Sequence, residues 1–210
     1  MSLLEDLNWR YATKRMNGKL IPKESLDTIL EAIRLAPTSM GLQAYKVLVI
    51  SDKSLIEKIE EAAAPRQLML RGCSHLLVFA AYTKVDDRVV DNYIKYIAEV
   101  RNQNTEVLAS FRDRFSGIIA MPDREKVEWT SHQVYIAMAY ASIAAANLKI
   151  DSTPIEGFDS DELDNMLGLS EKDLTSVLLF PLGYRDETSD YLLNQKKVRK
   201  NNKDLFDIID

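Results

Sequence analysis

The sequence predicts an α+β domain dominated by helices, and three observations carry that expectation. Several long stretches repeat apolar residues at helical three-four spacing, three short runs are rich in β-branched and aliphatic residues, and no linker-like segment divides the chain. At 210 residues the chain is long enough for one domain with a substantial core, so residues 1–210 are read as a single unit.

Ser2 followed by Glu5 has the form of a capping box, and Leu3, Leu4 and Leu7 give a short first helix its apolar side. Arg10 to Lys14 then lead away from it. Pro22 opens a second helix with Leu26, Ile29, Leu30 and Ile33 on one face, and Pro37 marks its end. Pro37 to Ala44 is a loop, and Tyr45–Ile50 reads as a buried strand. A helix over Lys53 to Ala63 and a connection through Pro65 lead to a second strand, His75–Tyr82. From Asp86 to about Phe115 a charged helical pattern places Val89, Tyr93, Ile97 and Val100 on one side, and residues 86–122 form a helical excursion on the surface.

The longest helix runs from Asp123 to Leu148, with Val127, Val134, Met138, Ala141, Ala145 and Leu148 as its stripe. Its second half is crowded with small residues, including Ala137, Ala139, Ala144 and Ala146, which suits close approach of a neighbouring backbone or subunit. Asp159 or Ser160 caps a short helix to Leu167, and Thr175–Phe180 gives a third strand. The alternation in Asp204–Ile209 suits an edge strand, whether in its own sheet or added to a partner subunit.

Composition narrows the function classes. A net charge of -5 offers no global basic field, which disfavours nucleic-acid and anionic-membrane binding. Cys73 is the sole cysteine, so no intrachain disulfide forms and a reducing, cytoplasmic setting fits. The acidic start of the chain lacks the features of a secretion signal, and the longest apolar stretch, Ser142 to Leu148, is far short of the roughly 20 residues that span a bilayer. The seven glycines form neither a dinucleotide-binding fingerprint nor a P-loop. Two histidines, His75 and His132, provide no metal-ligand spacing with Cys73 and little basis for a Ser–His triad. A chain without these devices that still performs chemistry depends on an organic cofactor.

Two basic clusters, Arg10-Tyr11-Ala12-Thr13-Lys14-Arg15 and Lys196-Lys197-Val198-Arg199-Lys200, each suit either a phosphate or plain solvated charge. Pro154-Ile155-Glu156-Gly157-Phe158-Asp159 is either a plain loop or a tightly specified turn that presents backbone N–H groups to a flat polar ligand. Trp129, Gln133 and Tyr135 read equally as helix packing with a polar edge or as part of a site.

Taken in order with Pro37-Thr38-Ser39-Met40-Gly41-Leu42-Gln43 and Glu128-Trp129-x-x-x-Gln133-Val134-Tyr135, these segments resemble the FMN-dependent nitroreductase family over nearly the whole chain. The branch they resemble most is that of the oxygen-insensitive NAD(P)H nitroreductases and dihydropteridine reductases. The resemblance implies a central mixed β-sheet flanked by helices and an intertwined homodimer with FMN at the subunit interface. It also implies that the tail, about residues 185–210, packs on the partner.

By the same resemblance, Arg10, Lys197 and Arg199 bind the FMN phosphate, Tyr11 and Ala12 line that wall, and Lys14 faces the flavin N1 and C2 carbonyl region. Pro154 and Ile155 lead into Glu156 and Gly157, whose backbone amides approach N5 and O4. Pro37, Thr38, Ser39 and Gly41 meet the ring from the other subunit, and Gln67 is a polar flavin contact. No side chain acts as acid or base, and no metal is implied.

The implied activity is two-electron, ping-pong reduction of nitroaromatics, quinones or related acceptors by NADH or NADPH. Flavin or enone reduction on the same fold, an FMN carrier with negligible turnover, and a flavin-free interaction module are the alternatives. Three departures from the family pattern stand out: Ala12 in place of a common serine, Gly41-Leu42 in place of a polar pair, commonly Asn-Ser, and Ala44-Tyr45 in place of Pro-Trp.

Overall fold

The computed structural model describes residues 2–209; Met1 and Asp210, the ends of the single-unit reading, lie outside the described residues. Helices α1 (Leu3–Trp9), α2 (Lys23–Arg34), α3 (Lys53–Ala62), α4 (Asp87–Arg101), α5 (Ala109–Asp113), α6 (Ser116–Ile119), α7 (Asp123–Asn147), α8 (Ser160–Leu167) and α9 (Asn202–Leu205) surround one sheet. Its strands are β1 (Tyr45–Ile50), β2 (His75–Tyr82), β3 (Asp151–Ser152) and β4 (Leu174–Gly183), in the order β1-β2-β4-β3. These strands pair antiparallel throughout, and the parallel contribution to the sheet is an isolated bridge between Ala12 and Ser152.

The local signals act as the side chains dictate. Ser2 and Glu5 form the reciprocal capping box of α1, Asp52 caps α3 and Asp159 caps α8, each supplying an acceptor to an otherwise orphaned N–H group. Helix α4 is shorter than the sequence pattern suggests, because Asn102 turns left-handed at φ 48° and ends it; short 3₁₀ and α turns continue the excursion to Ile119. Its buried side is Val90, Ile94, Ile97 and Ala98, whereas Val100 is 64% exposed. The expected stripe was therefore rotated: apolar residues at 89, 90, 93, 94 and 97 offer two overlapping rows, and packing selects the face between them.

Strand β4 runs past Pro181 to Gly183, three residues beyond the expected Phe180. Its pairing with β3 uses Leu182 and Gly183, beyond the proline that lacks a donor. Strand β3 has two residues, too few to leave a pattern in the sequence. The tail differs from the expected edge strand. Asn202–Leu205 forms a single helical turn, and Phe206 to Ile209 has no regular structure in the lone chain.

The main core lies between the sheet and helices α2 and α7, where Phe79 and Phe180 meet edge to face at 6.2 Å. Ala137, Ala141 and Ala145 are fully buried there, and their small side chains let α7 lie close against β2 and α2. A second cluster packs α3 and α8 on the opposite sheet face, and a third joins the excursion to Leu42 and Ala44. No helix among the described residues is long and apolar enough to cross a membrane. Overpacking the alanine seam with Ala141→Leu is expected to cost about 1–3 kcal/mol, read as a lower urea midpoint at fixed protein concentration.

Candidate functional site

The chain leaves α1 at Arg10 and runs beside β3, where a set of buried polar groups fixes its path. Thr13 is fully buried; its hydroxyl donates to Asp151 Oδ1 at 3.0 Å, and its carbonyl accepts from the Thr153 hydroxyl at 2.7 Å. Asp151 in turn receives the Arg185 backbone N–H at 2.8 Å and the guanidinium through Nε at 3.0 Å and Nη2 at 2.6 Å. Burial alone would lower the Arg185 pKa, but the Asp151 carboxylate outweighs it and holds the value above the ordinary one.

That guanidinium lies between two rings, 4.3 Å from the Trp9 centroid and 4.7 Å from that of Tyr11. Asp190 completes the frame by accepting from the Lys14 N–H at 2.8 Å and the Arg15 N–H at 3.3 Å. Of this frame the sequence reading held only Thr13, as a member of the basic segment after α1; Asp151, Thr153, Arg185 and Asp190 are scattered polar residues whose partners are set by tertiary contact, and no local motif marks them.

This frame turns Arg10, Tyr11 and Ala12 towards a cavity of about 360 Å³ that Lys197 and Arg199 also line. The Lys197 ammonium donates to the Leu7 carbonyl, which ties the C-terminal tail to α1. Arg10 Nε is buried with no hydrogen-bond partner. Burial and the nearby Arg199 charge lower the Arg10 pKa, and burial, Arg10 and Arg199 lower that of Lys197. None of the three cations has a carboxylate partner in a salt bridge among the described residues. Converging, mutually repelling cations with an orphaned donor have the chemistry to take an anion.

The wall continues along residues 153–157. Ile155 is an anchor: it is 3% exposed, and both its N–H and its carbonyl pair with Leu179, at 2.9 and 3.0 Å. Pro154 precedes it, while Glu156 and Gly157 return to the surface with N–H groups that have no acceptor among the described residues. Gln67 donates from Nε2 to the Gly157 carbonyl at 2.8 Å, so it braces the turn. A Cβ at Gly157 would come within 3.0 Å of the same nitrogen. The Glu156 carboxylate accepts from the Tyr135 hydroxyl at 2.5 Å, and burial followed by that carboxylate pushes the phenol up to about 12. The Glu156 side chain is thereby held on α7, while its backbone N–H has no acceptor among the described residues.

The loop containing Pro37, Thr38, Ser39 and Gly41 sits elsewhere. Gln133 Oε1 accepts from the Ser39 N–H at 2.7 Å and the Thr38 hydroxyl at 3.1 Å, which resolves Gln133 as the loop's anchor. Gln133 and Tyr135 are two residues apart on α7, about 200° around the helix axis, so loop and turn lie on opposite faces of that helix. One chain thus brings together Arg10, Tyr11, Ala12, Lys197 and Arg199, with the 154–157 wall running on from them, but not the 37–41 loop.

Fold and site define an α+β protein with a cavity lined by three cations at one end of a wall and backbone donors without acceptors among the described residues at the other. The chain belongs to the nitroreductase family, whose sequence model matches residues 7–184. A protein of Staphylococcus epidermidis named as an NAD(P)H nitroreductase is 32% identical over 100% of this chain and 97% of its own length. The major NAD(P)H-flavin oxidoreductase of Aliivibrio fischeri is 30% identical over 99% of this chain and 98% of its own. Among solved structures, an Exiguobacterium sibiricum nitroreductase-type protein in complex with FMN superposes with a TM-score of 0.83 at 19% identity, covering 100% of this chain and 98% of that one. A nitroreductase-like protein of Streptococcus mutans gives 0.82 at 18% identity, covering 99% and 98%.

Asp151→Asn is expected to destabilise the fold by about 3–5 kcal/mol, because it leaves the buried Arg185 charge without its partner. A denaturant titration against the wild type measures it.

Proposed function

We propose that this chain is an FMN-dependent oxidoreductase that draws electrons from NADH or NADPH and reduces nitroaromatics, quinones or related small acceptors. The observation that carries the reading is the carboxylate-free convergence of Arg10, Lys197 and Arg199 with the orphaned Arg10 Nε. The site is polarised as FMN is: a phosphate for the cations, and ring acceptors for the Glu156 and Gly157 N–H groups. Names of relatives for NAD(P)H nitroreductase and NAD(P)H-flavin oxidoreductase activity support the same reading.

FMN, when bound, would supply the two-electron carrier that couples NAD(P)H oxidation to reduction of the acceptor. The protein's part is placement and electrostatics. Arg10, Lys197 and Arg199 hold the phosphate, with Tyr11 and Ala12 along the same wall. Lys14 stands with its backbone fixed by Asp190 and its ammonium unpaired among the described residues. It favours negative charge at the N1 and C2 carbonyl edge. Gln67, Pro154 and Ile155 brace the turn from which Glu156 and Gly157 donate. With the Glu156 carboxylate engaged by Tyr135, no side chain is required as acid or base.

The opposite placement of loop and turn on α7 is met by a homodimer, in which Pro37, Thr38, Ser39 and Gly41 of one subunit complete the site of the other. Tyr135, Ile136, Tyr140 and Ile143 form a half-exposed apolar row on α7 suited to that interface. The open edge of β1 and the exposed Leu205, Phe206, Ile208 and Ile209 suit exchange of tails across the dimer. Free flavin as acceptor is the second reading, favoured by the Aliivibrio relative. The acidic net charge and the reduced, lone Cys73 fit a cytoplasmic setting without nucleic-acid or membrane partners.

The test is anaerobic absorbance of the purified protein with FMN. Bleaching by NADH or NADPH and recovery on adding an acceptor are expected; a protein that takes up no flavin overturns the reading. Lys14→Ala is expected to slow flavin reduction roughly 10–100-fold while leaving the melting temperature nearly unchanged, as loss of a charged contact confined to the reacting ring would. Unchanged stopped-flow reduction would remove Lys14 from this role.

The depressed Lys197 pKa also sets a pH dependence. The phosphate binds the protonated ammonium, so FMN affinity is full below the free-state pKa and falls as pH rises through it, short of the ordinary lysine range. Fluorescence titrations between neutral and alkaline pH measure this, and Lys197→Met is expected to flatten the profile.

A further inference from the structure

Gly41 and Leu42 replace the family's polar pair, and the packing of the helical excursion accounts for both. Leu42 is 9% exposed and shares an apolar cluster with Val90, Ile94 and Phe115 of the excursion. Gly41 has φ 76°, and a Cβ placed there would lie 2.2 Å from the Tyr93 hydroxyl oxygen, which no relaxation short of moving the ring could accommodate. The same hydroxyl donates to the Met40 carbonyl at 3.0 Å, and Met40 itself is left-handed at φ 55°. The Tyr93 ring is held edge to face against Phe115 at 6.1 Å, so its hydroxyl is a fixed point rather than a mobile tip. On the other flank Gln133 receives the Ser39 N–H and the Thr38 hydroxyl. The loop is thus clamped between α4 and α7, with no slack at residue 41.

We propose that Tyr93 is a positioning residue: through the Met40 carbonyl and the space left at Gly41 it sets where Thr38 and Ser39 stand against FMN held by the partner subunit. The helical excursion thereby becomes a determinant of cofactor affinity and not only a surface element packed on Leu42 and Ala44. The Gly41-Leu42 departure is, on this account, one half of a matched pair whose other half is Tyr93. The proposal rests on the FMN reading above.

The experiment titrates FMN into the apo forms of wild type, Tyr93→Phe, Gly41→Ala and the double variant, and follows affinity and the visible circular dichroism of the bound flavin. Melting temperatures are recorded beside them. Tyr93→Phe is expected to weaken FMN binding about 3–10-fold, as loss of one hydrogen bond does, and to alter the dichroism. Gly41→Ala is expected to weaken it further. Adding Tyr93→Phe to Gly41→Ala is expected to recover affinity, because without the hydroxyl the nearest ring atom to the new methyl is Cζ at 3.4 Å. The penalty of a left-handed alanine is common to both backgrounds and cancels in the cycle.

Variants that bind FMN as the wild type does, with only their melting temperatures lowered, would overturn the proposal, as would additive losses. If Gly41→Ala does not fold, Tyr93→Phe alone decides by the same two readouts. A wild type that binds no FMN overturns both this proposal and the function it rests on, whereas a yellow wild type with indifferent variants overturns this one alone.

Discussion

The pairing of Asp151 with Arg185 is the constraint from which the rest of the site follows. A carboxylate with 3% side-chain exposure survives in the interior only because every lone pair is used: Thr13, the Arg185 backbone and the Arg185 guanidinium all converge on it. In meeting that demand the two groups join three distant parts of the chain. Thr13 belongs to the segment after α1, Asp151 begins β3, and Arg185 follows β4. The planar guanidinium then serves a second purpose as the filling between Trp9 and Tyr11. Arg10 and Ala12 flank a side chain that is stacked and a residue that is fully buried, so the cations of this segment stand on a rigid base.

Against that base, the mutual repulsion of Arg10, Lys197 and Arg199 is informative. Folding has brought like charges together and buried one of their donors, with Asp151 acting on Arg10 only at a distance and no carboxylate in a salt bridge with any of the three among the described residues. Such a cluster costs stability as it stands and would regain it from any anion bound there, unlike a surface cluster neutralised by its own carboxylates. The Glu156–Tyr135 contact shows the complementary device, in which a carboxylate close to the site is tied off by a phenol.

Most of the fold was legible in the sequence because its elements are locally consistent. Capping residues Ser2 and Asp159, the apolar runs of β1 and β2, and the periodicity of α2 and α7 each point to one structure. What could not be read depends on partners remote in sequence: the two-residue β3, the rotation of α4, and the buried polar frame of Thr13, Asp151, Arg185 and Asp190. Of the candidate site, the two basic segments were legible as a pair, and the structure places Arg10, Tyr11, Ala12, Lys197 and Arg199 around one cavity. Ile155 shows the limit of that reading, since its place in the motif gave no sign that its backbone is fully paired with Leu179. The tail shows another: alternation marks a segment able to form a strand, but a strand also needs to reach an edge, and in the lone chain Phe206 to Ile209 pairs with neither edge of the sheet.

The contact between Lys197 and the Leu7 carbonyl spans 190 positions of sequence. That contact closes a very long loop, so Arg10 and Lys197 come to line one cavity only when segments far apart in the sequence have met. Such a closure costs chain entropy before any contact rewards it, which places this cavity among the parts of the fold that acquire their final form late.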